Sequence, residues 1–212
     1  MQYPSRVTLG EGVKYTYTTL QNLGVPAPQD GTMDFKQNTT SRQVSAIAVH
    51  AVRSNATVQQ QQAFQVAHFR VFLILVPLYL DVQSPHESVE LNNYAHNGLI
   101  TTTEVAYHAY IYSQRPLTFL HVSVVNAATF ITVGQVLDCL FNENGRQRYQ
   151  LDATTGSGCR YWCQTVVRDM ATKGWLSQDA PAKTEEIAAA IQAYNPEVVV
   201  SEVGNPRGGM FY

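Results

Sequence analysis

The sequence predicts an α+β protein, with an antiparallel, strand-rich first two-thirds packed against about three helices. Three observations lead there. Before Phe130, apolar residues come in alternating or continuous runs rich in Val, Ile, Phe and Tyr, as strands require. After Phe130 they recur at helical spacing. Strands first and helices later, with no strand–helix alternation, exclude a doubly wound parallel sheet. The 212 residues suit one core. By composition they divide into an N-terminal arm or loop, residues 1–43, and an α+β domain, residues 44–212.

The arm is polar and carries Pro26, Pro28, Gly31 and the run Gln37 to Ser41. Val44–Val52 is the first strand. Gln59–Gln62 is a polar turn. Phe64–Val76 is the strongest strand, and its continuous hydrophobicity predicts cover on both faces. Ser88–Leu91, Leu99–Thr103, Glu104–Tyr112 and Thr118–Val125 follow. The last two flank the turn Gln114-Arg115-Pro116 and read as an antiparallel hairpin. Val133, Val136, Leu137, Leu140 and Phe141 then mark a helix, capped by Thr132 and stopped at Asn144-Gly145. A short strand, Arg148–Leu151, precedes a helix from Cys159 to Lys173 ended by Gly174. Thr184 reads as the cap of a last helix, Glu185–Tyr194. The tail from Ser201 to Tyr212 is Gly/Pro-rich.

Charged residues are only 14% of the chain and the net charge is -2. With no basic run, the electrostatic footprint of a nucleic-acid binder is missing. The most apolar stretch, Val71–Leu80, contains Pro77 and falls well short of the roughly 20 residues of a membrane span. Met1–Gly10 has no apolar core of a secretory signal, so a cytoplasmic protein is expected. The sequons at Asn38 and Asn55 would then carry no glycan. Three cysteines without a signal argue against a disulfide framework. Cys159 and Cys163 lie one helical turn apart, but no matching second pair supports zinc, and no metal site is expected.

The most specific stretch is Gly156-Ser-Gly-Cys-Arg-Tyr-Trp-Cys163. A Gly-flanked Ser leads into a helix whose first turn holds Cys159. Free N–H groups and the helix dipole there favour an anion, which lowers a thiol's pKa. Arg160 adds positive potential, and Gly158 lets a backbone N–H approach a bound oxygen. Papain-like enzymes place their nucleophile in this way. The structural alternative is that Cys159 is a small buried hydrophobe and Ser157 a helix cap. A nucleophile needs a base. Of the six histidines, His50, His68, His108 and His121 fall on predicted strands. His68 opens the strongest strand, where a permuted papain-like fold would hold its base, and His121 could orient or replace it. No dinucleotide fingerprint, phosphate loop or zinc-protease motif occurs, so no cofactor is expected. Aromatic side chains such as Tyr107, Tyr110, Tyr112 and Phe119 lie on the alternating strands, as core or as the lining of a ligand pocket.

The segment Thr132–Trp175 contains N-G-R-Q-R-Y followed by G-C-R-Y-W, and Ala67–Leu73 reads A-H-F-R-V-F-L. These resemble a family of small filamentous-fungal proteins that share an N-G-R-x-R-Y turn, a G-C-R-[YF]-W helix start and an H-W-R-[LV]-F-L strand, here with Phe69 in place of Trp. The resemblance covers roughly residues 44–176. A His-bearing strand ahead of a Cys-bearing helix is also similar to permuted papain-like folds. Some members of the fungal group accompany natural-product pathways, which implies a small apolar metabolite as partner.

Three functional readings follow. The first is a cofactor-free cyclase or isomerase, for example one closing a ring by intramolecular Diels–Alder cycloaddition. Catalysis would come from a held conformer and a few hydrogen-bond donors. His68, His121 and Arg160 are the polar candidates, and Tyr161, Trp162, Tyr107 and Phe119 would line the substrate. The second is a thiol hydrolase or acyltransferase using Cys159 and His68. The third is a non-catalytic small-molecule binder. The second requires a histidine within hydrogen-bond reach of the Cys159 sulfur. The first requires an enclosed pocket and no thiolate.

Overall fold

The structure, a computed structural model, describes residues 6–9, 39–56, 64–78, 86–97, 100–151, 158–200 and 210–211. The fold is α+β. The strands are β1 (Arg6–Leu9), β2 (Val44–Ala56), β3 (Phe64–Leu75), β4 (Ser88–Asn97), β5 (Ile100–His108), β6 (Phe119–Asn126), β7 (Tyr149–Gln150) and β8 (Met210–Phe211). They form one antiparallel sheet in the order β6-β2-β3-β4-β5-β7-β8, with β1 beside β5. The helices are α1 (Val133–Leu137), running directly into a π-helical turn at Asp138–Glu143, then α2 (Cys159–Thr172) and α3 (Ala180–Tyr194).

Alternation decides what each strand shows to each side. Val49, Val71, Leu91 and Val105 stand opposite one another across four strands and are fully buried. They join Phe69, Leu73, Trp162, Val166 and Met170 in the core between sheet and helices. The other face of β3 and β4 presents His68, Arg70, Phe72, Glu90 and Asn92. The chain after β5 folds back over part of that face: Ser113 O meets His50 Nε2 at 2.7 Å, and Ser88 Oγ donates to Tyr110 O at 2.7 Å. This cover explains why β2 and β3 read as continuously apolar.

Several expectations are revised. Ser88–Leu91 belongs to a longer strand that includes Asn92 and Asn93, Ile100–Thr103 and Glu104–His108 form one strand, β5, and Ala109–Tyr112, expected to continue it, are bends instead. The expected hairpin does not form, because β6 pairs with β2 at the far side of the sheet. Thr184 lies inside α3, which starts after Asp179 and carries Pro181 in its first turn. Thr132 does cap α1, forming a reciprocal capping box with Gln135. The turn at Gln59–Gln62, most of the arm 1–43, Ser157 and most of the tail lie outside the described residues. Among the described residues no helix is long and apolar enough to cross a membrane.

The feature that positions the site is a break between β3 and β4. They pair only from Ile74/Ser88 to Val71/Leu91. Further back along the same edge of β3, the C-terminal segment takes over: Ala67 N donates to Val199 O and Val199 N to Gln65 O. Arg53 clasps that segment through Asn195 and Glu197. Between the two partners the Phe69 N–H faces the same edge, and among the described residues no strand pairs with it there.

Candidate active site

The N-terminus of α2 occupies that opening. Its cap, Gly158, has φ 146°, a conformation open to glycine and strained for any residue with a Cβ. The Gly158 carbonyl accepts from Trp162 N at 2.9 Å and from Tyr149 Oη at 2.9 Å. The buried Tyr149 thus ties the helix start to β7. Trp162, fully buried, anchors the first turn from below by donating Nε1–H to Arg146 O at 2.8 Å.

Cys159, the first helical residue, is half-buried. Its sulfur is hydrogen-bonded to the His68 side chain and to the main-chain N–H groups of Phe69 and Arg160. Each donor has a structural origin. The Phe69 N–H is left over where β4 departs. The Arg160 N–H belongs to the first turn of α2, whose donors point out of the helix start. His68 lies on the outer face of β3 and meets the sulfur through the gap. Its Nε2 is 2.7 Å from Asn92 Oδ1. An amide oxygen can only accept, so Nε2 carries the hydrogen, and the other ring nitrogen, Nδ1, is left for the sulfur.

Burial opposes charge on both partners, yet the thiol and the imidazole shift in the direction of ionisation. For Cys159, desolvation pushes the pKa up. The hydrogen bond and Coulomb attraction of His68, with the two main-chain N–H groups, more than offset it and leave the thiol below its usual value. For His68, desolvation pushes the pKa down, and the bond and attraction of Cys159 with the Asn92 bond leave it above. Each group shifts the other toward its charged form. Cys163, one turn along the same helix, is held well above the ordinary thiol range by burial and by the neighbouring Cys159. Burial also raises Cys139, to about 11.

The other sequence candidates fall elsewhere. His121 stands opposite Ala51 and so faces the helix side; β2 separates β6 from His68's strand, a spacing of about 10 Å. The Arg160 side chain is buried, and its part at the thiol is its main-chain N–H. Tyr161 is half-buried with its ring 6.2 Å from Phe211. Trp162 is core, as is Tyr107, whose hydroxyl bonds Glu87. Phe119 packs against His50 at 5.6 Å. Asn92 is the site residue that sequence reasoning missed. The one signal for it was the alternation Val89, Glu90, Leu91, Asn92, Asn93, which places it on the face of Glu90. Among the described residues no three His, Cys, Asp or Glu side chains converge as a metal site.

A nucleophile at a helix start, a base on the neighbouring strand and an amide orienting that base can carry acyl transfer. Neither the curated proteins nor the solved structures yield a match to this chain. A family model described as a domain of unknown function (DUF7770) matches residues 45–212, a span that holds His68, Asn92 and Cys159 alike. The chain belongs to the DUF7770 family.

Proposed function

We propose that this protein is a cysteine-dependent acyl-transfer enzyme, a thiol hydrolase or acyltransferase. Cys159 is the nucleophile, His68 the general base and acid, and Asn92 the residue that positions His68. The observation that carries this reading is that one imidazole bridges the Cys159 thiol and the Asn92 amide oxygen. The Cys159 thiolate attacks an acyl carbonyl. The leaving group departs with the proton held by His68, and the acyl group remains as a thioester. His68 then takes a proton from water or an acceptor nucleophile, which attacks the thioester, releases the acyl product and restores the thiol. The positive end of the α2 dipole, at the helix start, suits the oxyanion of each tetrahedral intermediate.

The chain order histidine, asparagine, cysteine, with the first two on adjacent strands and the last at a helix start, supports the permuted papain-like reading. The resemblance to fungal natural-product proteins would make the reaction a biosynthetic one. The cyclase reading rests on that resemblance and on aromatic content. Two of its aromatic candidates, Trp162 and Tyr107, lie in the core, and the cavity next to Asn92 is lined mainly by polar residues. The thiol reading is therefore preferred.

The test is incubation with p-nitrophenyl acetate, followed by peptide mapping. The reading expects an acetyl group on Cys159 and none on Cys139 or Cys163, with release of nitrophenolate. A Cys159→Ser protein that releases nitrophenolate as fast as the wild type would overturn it.

A further inference from the structure

Beside the triad, on the outer face of the sheet, lies a cavity of 660 Å³. Asn92 forms part of its wall and is the residue that the pocket shares with the triad. Arg70 lines it too, two residues along β3 from His68 and therefore on the same face. Its guanidinium is held in place. Nη1 donates to Glu90 Oε1 at 2.7 Å, Glu90 Oε2 is bound by His108 Nε2 at 2.7 Å, and the guanidinium carbon lies 5.6 Å from the centre of the Phe72 ring. The Arg70 Nε–H is buried and meets no acceptor among the described residues, so the group has hydrogen-bonding capacity to spare.

The carboxylates of the pocket are already committed. Glu90 serves Arg70 and His108 together. Glu104 is buried and likewise engaged. At the rim, Arg115 is exposed, and no acidic side chain among the described residues pairs with it. The donors left to a ligand are the Arg70 Nε–H and the Arg115 guanidinium.

We infer that this pocket holds a carboxylate on the acyl substrate, with Arg70 as the specificity-determining residue on its floor and Arg115 as a second cation at its rim. The inference rests on the acyl-transfer reading and names its substrate class: a small, polar ester or amide whose acyl portion ends in a carboxylate. A guanidinium held by one edge can offer other N–H groups to such a ligand, with a geometric fit that an ammonium lacks.

The experiment compares two esters on the intact protein, p-nitrophenyl hydrogen glutarate and its methyl ester, which differ only in the terminal charge. Attack by Cys159 expels nitrophenolate from either, and water completes hydrolysis to glutaric acid or its monomethyl ester. The inference expects kcat/KM to favour the free acid by at least about tenfold. Arg115→Gln, in an exposed loop, and Arg70→Gln should each bring the ratio toward one, and Arg115→Lys should keep part of it. A second arm needs no turnover: free glutarate should slow iodoacetamide labelling of Cys159 in the wild type and do so less in Arg115→Gln. Equal reaction of the two esters without protection by glutarate overturns the inference and leaves the acyl-transfer reading standing. Protection by glutarate with no acyl group on Cys159 from either ester supports the pocket and overturns the acyl-transfer reading.

Discussion

Strand β3 has two long edges, and they are used differently. Along one, it pairs with β2 from Val44/Leu75 to Ala56/Phe64. Along the other, it pairs with β4 over four residues only, and then the strands part. The complete seam is structural. The interrupted seam exposes a ladder N–H, Phe69, and a strand histidine, His68, and both are taken up by the thiol of Cys159. A sheet edge that would otherwise leave donors unpaired becomes a place to hold an anion. Cys159 and Cys163 show the chemical consequence. They sit on one helix, a turn apart, and their pKa values move in opposite directions because only one of them reaches the opening.

The largest expected effect comes from removing the sulfur at the open seam. Cys159→Ser should reduce ester turnover by at least about 10³-fold. Cys163→Ser should leave it within a small factor, measured as kcat/KM with p-nitrophenyl acetate. Equal losses from both variants would break the contrast between the two cysteines.

Removing the base comes next. His68→Ala should lower turnover by about 10²–10⁴-fold. It should also shift Cys159 labelling to higher pH, since the bond and attraction that lower the thiol would be gone. In the wild type the thiol is shifted below and the imidazole above its ordinary value, and the proposed reaction needs the thiolate together with the protonated imidazole. The pH–rate profile should therefore be bell-shaped. Its acid limb marks protonation of the thiolate, at a pH below the ordinary thiol value. Its alkaline limb marks loss of the imidazolium proton, above the ordinary histidine value. A single rising limb near the ordinary thiol value would mean that the two groups do not interact.

Asn92→Ala should cost about tenfold in kcat, the equivalent of one oriented hydrogen bond of about 1.4 kcal/mol. The thermal midpoint should change little, because β4 keeps its ladder to β5 across Asn92/Glu104. The smallest effect belongs to the clasp that fills the edge β4 leaves. Arg53 bonds Gln65, Asn195 and Glu197, and the Arg53–Glu197 pair is substantially exposed. Arg53→Ala should lower stability by only about 0.5–1 kcal/mol in denaturant unfolding.

Much of the fold was legible because burial writes a period into the sequence. β2, β3, α1 and α2 lie close to where their apolar spacing puts them, and Gly158 and Cys159 were legible as a helix start. Pairing partners were not. Strands β5 and β6 follow each other closely and alternate well, yet β6 crosses to β2, because nothing local in an alternating strand names its neighbour. Asn92 stayed hidden for a related reason. Asparagine is depleted in strands, so Asn92-Asn93 reads as the end of β4, when Asn92 faces the triad and Asn93 is buried and donates to Thr101 and Thr103. The break between β3 and β4 has no signature in either strand alone, and it is what turns a histidine and a cysteine into a pair.

The pH dependence of Cys159 alkylation by iodoacetamide, read by peptide mass spectrometry with Cys139 and Cys163 as internal references, tests the open-seam account most directly. The account predicts labelling of Cys159 with a midpoint under the ordinary thiol value, while Cys139 and Cys163 stay unlabelled in the folded protein. A Cys159 that is labelled only together with Cys163, on unfolding, would contradict it.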